Sequence, residues 1–303
     1  MKRILVCGSN GLLGQHVAHL LGGSTELEVL NTGRQRSFVY DHLLFDYTQL
    51  DLSHRGDVRS LVASFQPDVI INTVAAIDVD WCELHRADAW QTNVTSVEHL
   101  IEAARKNAVH IVHVSTDYVF DGNNGPYSET HRPDPINYYG KTKLAAENLL
   151  LSSGLPVAIA RVSHLFGAGI AVKPHFVSKV VHALRHGKPV FATRGIGTNP
   201  TMASDAARGI LSIMHDMHRG IFHLSGPDGV NRFDYAHLVA DVFDLPIEEI
   251  REVSAEDLNL PAQRPRWTCF SIDKARRELG FNPLHLRAAV EQYKRDLTHM
   301  VTN

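Results

Sequence analysis

Tyr139 and Lys143 stand four residues apart in Tyr138-Tyr139-Gly140-Lys141-Thr142-Lys143. Residues i and i+4 share one face of a helix, so a phenol and an amine can point into the same space. Tyr138, five residues from Lys143, lies off that face. An unperturbed phenol titrates near pH ~10. A neighbouring ammonium favours the phenolate and makes the phenol a better proton donor. Upstream, the β-branched run from Ile111 ends in two hydroxyls, Ser115 and Thr116, at what reads as a strand end. A hydroxyl opposite the phenol would orient a carbonyl oxygen. These are parts for reducing a ketone or oxidising an alcohol. By itself, Tyr-x-x-x-Lys equally describes a surface pair on an amphipathic helix, so the surrounding elements must decide.

Residues 3–7 form an apolar run that fits a buried parallel strand. Gly8-Ser-Asn10-Gly11-Leu12-Leu13-Gly14 follows, and a helical pattern runs from Leu12 to about Leu21. Glycines at such a turn let the backbone approach a pyrophosphate, and the helix N-terminus presents free N–H groups and a positive dipole end. The spacing here is G-x-x-G-x-x-G. Leu27–Leu30 reads as the second strand, ending in Asn31-Thr-Gly-Arg34-Gln-Arg36. An acid at this place serves the ribose hydroxyls of NAD, whereas an Arg accommodates a 2′-phosphate. With two arginines and no acid, the segment favours NADP(H), with NAD(H) as the alternative and a plain basic loop as the bland reading.

His42–Tyr47 reads as a third strand. Beyond it, Asp51 either accepts from an adenine amino group or caps the next helix, with Leu52 beside it. A helix over 54–65 and a strand Val69–Asn72 follow. The end of that strand, Asn72-Thr-Val-Ala75-Ala76, offers small residues to lie along a cofactor. A long helical pattern spans roughly 81–106 and includes Asn93, and a strand over 109–115 delivers Ser115 and Thr116. Strand and helix alternate, which predicts an α/β fold with a doubly wound parallel sheet. Ligands bind such sheets at the carboxyl ends of the strands, where Gly8, Asn72 and Thr116 all fall.

The Tyr139 helix ends near Ser152, and the strand Val157–Val162 carries Ser163-His164-Leu165 at its end. A helix over about 174–186, a strand Val190–Phe191, a turn over 197–201 and a helix over about 204–217 come next. A strand Ile221–Leu224 can rejoin the sheet. Residues 226–303 read as a helical lobe, with Gln263-Arg264-Pro265-Arg266 in a loop and a last helix from Leu286. The expected division is a Rossmann domain of 1–168 plus about 190–225, and a smaller, mostly helical substrate lobe of about 169–189 plus 226–303.

The 303 residues are 44% apolar and 21% charged, ordinary for a globular chain. A net charge of −3 without a basic block argues against nucleic acid as a partner. No apolar run reaches the ~18 residues of a membrane helix. Met1-Lys2-Arg3 before an apolar run looks superficially like a signal peptide, but the glycines interrupt the apolar stretch. Cys7, Cys82 and Cys269 lack metal spacing, and their odd number suggests reduced thiols in a cytoplasmic protein. No metal site is expected.

Gly8-x-x-Gly11-x-x-Gly14, Val114-Ser-Thr-Asp-Tyr-Val-Phe-Asp-Gly122, Tyr139-Gly-Lys-Thr-Lys-Leu-Ala-Ala-Glu147 and Arg264-Pro265 occur together and in order. The set resembles the extended short-chain dehydrogenase/reductases and, within them, the dTDP-4-dehydrorhamnose reductase-like group. The resemblance covers most of the chain. It implies an NAD(P)-binding Rossmann fold and NADPH- or NADH-dependent reduction of the 4-keto group of a nucleotide-activated deoxysugar, by a chain that can pair as a homodimer. Thr116, Tyr139 and Lys143 fall on the family's Ser/Thr-Tyr-Lys triad. Tyr139 is then the general acid and Thr116 the holder of the substrate oxygen. Lys143 lowers the phenol and holds the nicotinamide ribose, and Asn93 matches an Asn that serves a proton-relay water. Arg34 matches the position that reads NADP, and His164 lies in the wall near the nicotinamide. Asn10, Leu12, Leu13, Asp51, Leu52, Asn72, Ala75, Ala76 and Ser115 complete the implied cofactor neighbours.

On the substrate side, the resemblance implies Thr116, Asp117 and Val119, with Arg264 and Arg266 as cations for a diphosphate. Solvated surface charge is the alternative for both arginines. Here Arg266-Trp267-Thr268 follow Arg264-Pro265 in place of an Asn-Ser-type pair. Ala262–Arg266 also resembles the non-catalytic, NADP-binding regulatory subunit of methionine adenosyltransferase. A regulatory subunit that does no chemistry is therefore the second reading. An epimerase or dehydratase is the third, weakened for a dehydratase because no Glu follows Asp117.

Overall fold

The computed structural model describes residues 1–22, 24–40 and 45–302, with side chains through residue 299. Seven strands make one parallel sheet: β1 (Lys2–Cys7), β2 (Leu27–Gly33), β3 (Asp46–Gln49), β4 (Val69–Asn72), β5 (His110–Thr116), β6 (Val157–Val162) and β7 (Gly220–Leu224). Their order is β7-β6-β5-β4-β1-β2-β3. The chain winds outward from β1 in both directions, so the crevice between the β1 and β4 ends is the switch point where such sheets bind ligands. The register places Cys7 opposite both Thr32 and Asn72, and Thr116 opposite Val162. This is the doubly wound sheet that the strand–helix alternation predicts.

Near-continuous apolar strands require cover on both faces. The helices are α1 (Leu12–Leu21), α2 (Arg55–Phe65), α3 (Val79–Leu84), α4 (Arg86–Trp90), α5 (Ser96–Ala104), α6 (Tyr138–Ser152), α7 (Phe176–Arg185), α8 (Ala203–His215), α9 (Arg232–Val242), α10 (Asp273–Leu279) and α11 (Leu286–Thr302). On one face, Val17 and Leu21 of α1, Ile210 and Ile213 of α8 and Ala275 of α10 bury Ile4, Val6 and Ile71. On the other, Val58 and Val62 of α2, Leu100 of α5 and Leu150 of α6 bury Leu5, Ile70 and Ile111. A separate core joins α7, α9 and α11 through Val180, Val239 and Val290.

The structure departs from the sequence reading in four places. The third strand begins at Asp46, and residues 42–44 of the expected span lie outside the described residues. The helix expected over 81–106 is broken: His85 leaves helical geometry at φ −123° and ψ 58°, and Gln91–Thr95 form a π-helical turn. Val190–Ala192 pairs in parallel with Ile250–Glu252 and joins the second core, so it sits with the lobe. Conversely, Ile272, Ala275 and Phe281 pack on the sheet, because their apolar face completes the cover begun by α8.

Candidate active site

The turn after β1 is shaped for a close backbone approach. Gly8 has φ +85°, open to glycine at no steric cost, and a Cβ on Gly14 would lie 2.1 Å from the Gly8 carbonyl oxygen. Gly11 is the N-cap of α1 and has no side chain to cap it, so the first N–H groups of the helix face outward for an anion. Leu12 is half-buried and Leu13 buried, with Leu13 anchoring the helix in the sheet core. Asn10 braces the neighbouring loop. Its Nδ2 donates to the Ser37 carbonyl at 3.0 Å, and its Oδ1 accepts the Val39 N–H at 3.1 Å. Arg34 and Arg36 are exposed beyond β2. Asp51 accepts the Ser53 N–H at 2.9 Å in a local turn. It does not cap α2, whose N-cap is His54. Burial raises the Asp51 carboxyl, but the Ser53 hydrogen bonds and the charge of Arg34 outweigh it and hold the group low. Leu52 is buried, and its carbonyl takes the His99 Nδ1 at 2.8 Å.

The start of α6 is fixed from three sides. Asn137 accepts the Gly140 N–H at 2.9 Å and donates from Nδ2 to the Gln263 carbonyl at 3.0 Å. Glu83 of α3 accepts the Tyr138 N–H at 2.9 Å. A Cβ on Gly140 would lie 2.1 Å from the Tyr118 carbonyl oxygen, so only glycine lets the helix press against the turn after β5. That approach brings Tyr139, 8% exposed, beside Thr116 and edge-on to Tyr118 at 6.0 Å. Tyr138 instead lies under the Arg86 guanidinium, 5.1 Å from its ring centre. Burial pushes the Tyr139 phenol up, and its hydrogen bond with Thr116 offsets only part of it. The expected lowering by Lys143 is therefore not what the structure shows. The Lys143 amine, 1% exposed, donates to the Val114 carbonyl at 2.7 Å and meets the His113 Nε2 at 3.0 Å. Burial lowers Lys143 to about 8, against the opposing charge of Glu147.

Asn93, expected beside a relay water, is fully engaged with protein. Its Oδ1 accepts the Ala76 N–H at 2.7 Å, and its Nδ2 donates to the Thr142 hydroxyl at 2.9 Å and the Ala76 carbonyl at 3.2 Å. It ties the loop after β4, with Ala75 and Ala76 half-buried along it, to α6. Asn72 accepts the Val74 N–H at 3.1 Å within the same loop. The Ser115 hydroxyl is buried without a hydrogen-bond partner.

The substrate-side residues separate. Asp117 is 3% exposed, and its oxygens take the hydroxyls of Thr268 at 2.5 Å, Thr116 at 3.1 Å, Ser163 at 3.1 Å and Thr198 at 3.3 Å. Burial raises this carboxyl, and the hydroxyls pull it back in part. It joins segments of the chain and has no free oxygen to offer a substrate. Val119, 0% exposed, packs against Phe120, Tyr127 and Phe270, so its side chain belongs to the core. Arg264 is gripped by Asp80, and Arg266 is exposed on an open groove with Arg194, Glu252 and Asp257.

Three residues emerge that the sequence reading did not single out: His113, Tyr118 and Arg232. A cavity of about 160 Å³ lies beside Tyr118 and is walled by Phe176, Arg232 and Arg264. Arg232 directs Nη1 at the His164 ring, 3.3 Å from Nδ1, and lies over the Phe176 ring at 4.9 Å. Burial lowers it, with Tyr118, Tyr235 and Asp117 opposing. No acid forms an ion pair with Arg232 among the described residues. His164 has φ +43°, which turns its ring toward Phe176 and Tyr235. His113 carried a signal in the sequence, as an imidazole inside an apolar strand, a place it shares with His223 in β7. Arg232, at the first position of a helix, carried none.

A family model described as RmlD substrate binding domain matches residues 1–299. The dTDP-4-dehydrorhamnose reductase of Aggregatibacter actinomycetemcomitans is 31% identical, over 97% of this chain and 99% of its own. The methionine adenosyltransferase 2 subunit beta of Danio rerio is 30% identical, over 88% of this chain and 81% of its own. The crystal structure of a hypothetical dTDP-4-dehydrorhamnose reductase from Sulfolobus tokodaii matches with a TM-score of 0.82 at 33% identity, over 95% of this chain and 98% of that one. With the match running almost end to end, the chain belongs to the RmlD substrate binding domain family.

Proposed function

We propose that the protein is an oxidoreductase of the short-chain dehydrogenase/reductase type. It takes a proton from Tyr139 to reduce the 4-keto group of a nucleotide-activated deoxysugar, and prefers NADP(H) to NAD(H). The observation that carries this reading is the meeting of Thr116 and Tyr139 at the carboxyl end of β5, with Lys143 one turn along the same helix. The residues at the turn after β1 suit a dinucleotide. Gly8 and Gly14 bring backbone to backbone, the α1 N-terminus has no side-chain cap, and Ser115 keeps a buried hydroxyl without a partner. When bound, the nicotinamide supplies the hydride. The Thr116 hydroxyl orients the carbonyl oxygen, and Tyr139 delivers its proton to that oxygen as charge develops. A positioned acid of this kind is worth about 10²–10⁴-fold in rate. Burial keeps Tyr139 protonated until it is needed. The likeness to a reductase over nearly the full length of both chains supports the reading.

The likeness to a methionine adenosyltransferase subunit favours a second reading, an NADP-binding regulatory subunit without chemistry. A panel of nucleotide-linked 4-keto sugars with NADPH or NADH, followed at the absorbance of reduced nicotinamide, tests the two. Consumption with any such sugar retires the regulatory reading. No turnover across the panel, with NADPH bound, retires the reductase.

A further inference from the structure

Asn72 on β4 stands opposite His113 on β5 in the parallel register, and Lys143 reaches His113 from α6. The hydrogen bonds among them run one way. The Asn72 Oδ1 accepts the Val74 N–H at 3.1 Å, which turns the amide nitrogen toward His113 Nδ1, also at 3.1 Å. An amide NH₂ only donates, so Nδ1 accepts and the single proton of the neutral ring sits on Nε2. That Nε2–H faces the Lys143 Nζ at 3.0 Å. An ammonium has three donors and no lone pair, so against an N–H it makes a donor–donor contact. A neutral amine has a lone pair for the Nε2–H and an N–H for the Val114 carbonyl at 2.7 Å, with one N–H left over.

We propose that His113 is a positioning residue: through its Nε2–H it seats Lys143 as a neutral amine, and a proton gained by Lys143 drives the lysine off that seat. His113 does not take the proton itself. It is 0% exposed, and burial, the larger cause, keeps it neutral well below its usual range. Asn72 cannot relay the proton either, being an amide, so the chain is a seat and not a wire. The ionisable groups around Lys143 are His113 on β5 and, on α6, Tyr139 and Glu147. Glu147 is held by Arg161 of β6 at 2.6 Å. Asp117 and Tyr118, from the turn after β5, and Cys82, from α3, bear on Tyr139. The low range of Lys143, about 8, runs in the direction the seat requires. In a reductase, a charged amine released from His113 is available to the phenol one helical turn away. That use rests on the function proposed above, whereas the seat does not.

The test is a carbon-13 NMR titration of the full-length chain labelled at lysine Cε, without substrate, with Lys143 assigned from its loss in Lys143→Arg. Lys143 should titrate near 8 in the wild type. In His113→Phe the midpoint should move up by about one unit, because a hydrogen bond to the neutral form, worth ~1 kcal/mol, is lost. A downward move, or no move in a folded variant, overturns the proposal. Nitrogen-15 shifts of His113 in the wild type need no variant: an Nε2–H tautomer is expected, and an Nδ1–H tautomer overturns it. Neither readout depends on turnover, so a protein without reductase activity leaves this test intact.

Discussion

Asp80 of α3 accepts from both terminal nitrogens of Arg264, at 2.9 and 2.7 Å, so the guanidinium fork that the sequence offers to a diphosphate is already closed by a carboxylate. The pair is half-buried, and a bidentate bridge of this kind is among the stronger charge-assisted contacts. Removing either partner should loosen the loop that carries Arg264. Arg264→Ala and Asp80→Ala are expected to raise the substrate KM in the same direction, with a coupling in stability of ~1–2 kcal/mol in a double-mutant cycle. If Arg264 held the diphosphate directly, Asp80→Ala would free the fork and lower KM instead.

Tyr139→Phe keeps the ring against Tyr118 and Cys82 and removes only the proton donor. Turnover should fall by ~10²–10⁴-fold while NADPH affinity stays within a few-fold. Tyr138→Phe should do little, since that ring lies under Arg86 on another face. Steady-state rates on a confirmed substrate decide it, and equal rates for Tyr139→Phe and wild type would rule out the mechanism.

Arg34 and Arg36 project from the end of β2 as exposed side chains, where a 2′-phosphate would need cations. The Arg34→Ala, Arg36→Ala double variant should bind NADPH at least tenfold more weakly, about 1.4 kcal/mol, with NADH affinity nearly unchanged. Calorimetric titration of both cofactors is the check. Equal losses for both would mean that the arginines do not read the phosphate.

Arg161 and Glu147 form a two-point bridge at 2.9 and 2.6 Å inside the molecule, with both side chains about 2% exposed or less. The Arg161 guanidinium also lies 5.1 Å above the Phe120 ring. Breaking a buried pair strands a charge, so Glu147→Gln should cost ~3–5 kcal/mol in urea unfolding. Replacing both partners with apolar residues of similar size should cost far less.

His223 stacks on Phe270 at 3.9 Å and is held neutral, lowered by burial from 6.5 to about 3. The unfolded chain therefore binds a proton in this window that the folded chain refuses. The stability His223 contributes is complete above pH 6.5 and is lost as pH falls toward about 3. Between pH 6.5 and 5 this one residue accounts for ~2 kcal/mol. Urea midpoints at pH 7 and 5 should differ accordingly, and a flat profile would show that His223 is not kept neutral.

The sheet was readable because its strands are short apolar runs punctuated by glycine and proline, and because tight βα turns leave the pattern little freedom. The Tyr139–Lys143 spacing was readable for the same local reason. What was not readable came from contacts far apart in the chain. The hydroxyls of Ser163, Thr198 and Thr268 converge on Asp117 only once three loops have folded, so a strand-end acid looked available to a substrate when it was not. Arg264 looked free because its partner, Asp80, lies 184 positions away. The lowering of the phenol by Lys143 failed because burial, which helix spacing does not report, acts on both groups.

The π-helical turn at Gln91–Thr95 amounts to one residue more than an α-helix needs to cover that distance. Deleting a single residue there would let α4 and α5 run on as one regular helix. The helices on either side would keep their faces, but the widened turn that aims Asn93 at Ala76 and Thr142 would close. Insertion length at this point should therefore be under tighter evolutionary constraint than side-chain identity on the outer face. Alignments that close a gap here would put the wrong residue against the loop that follows β4.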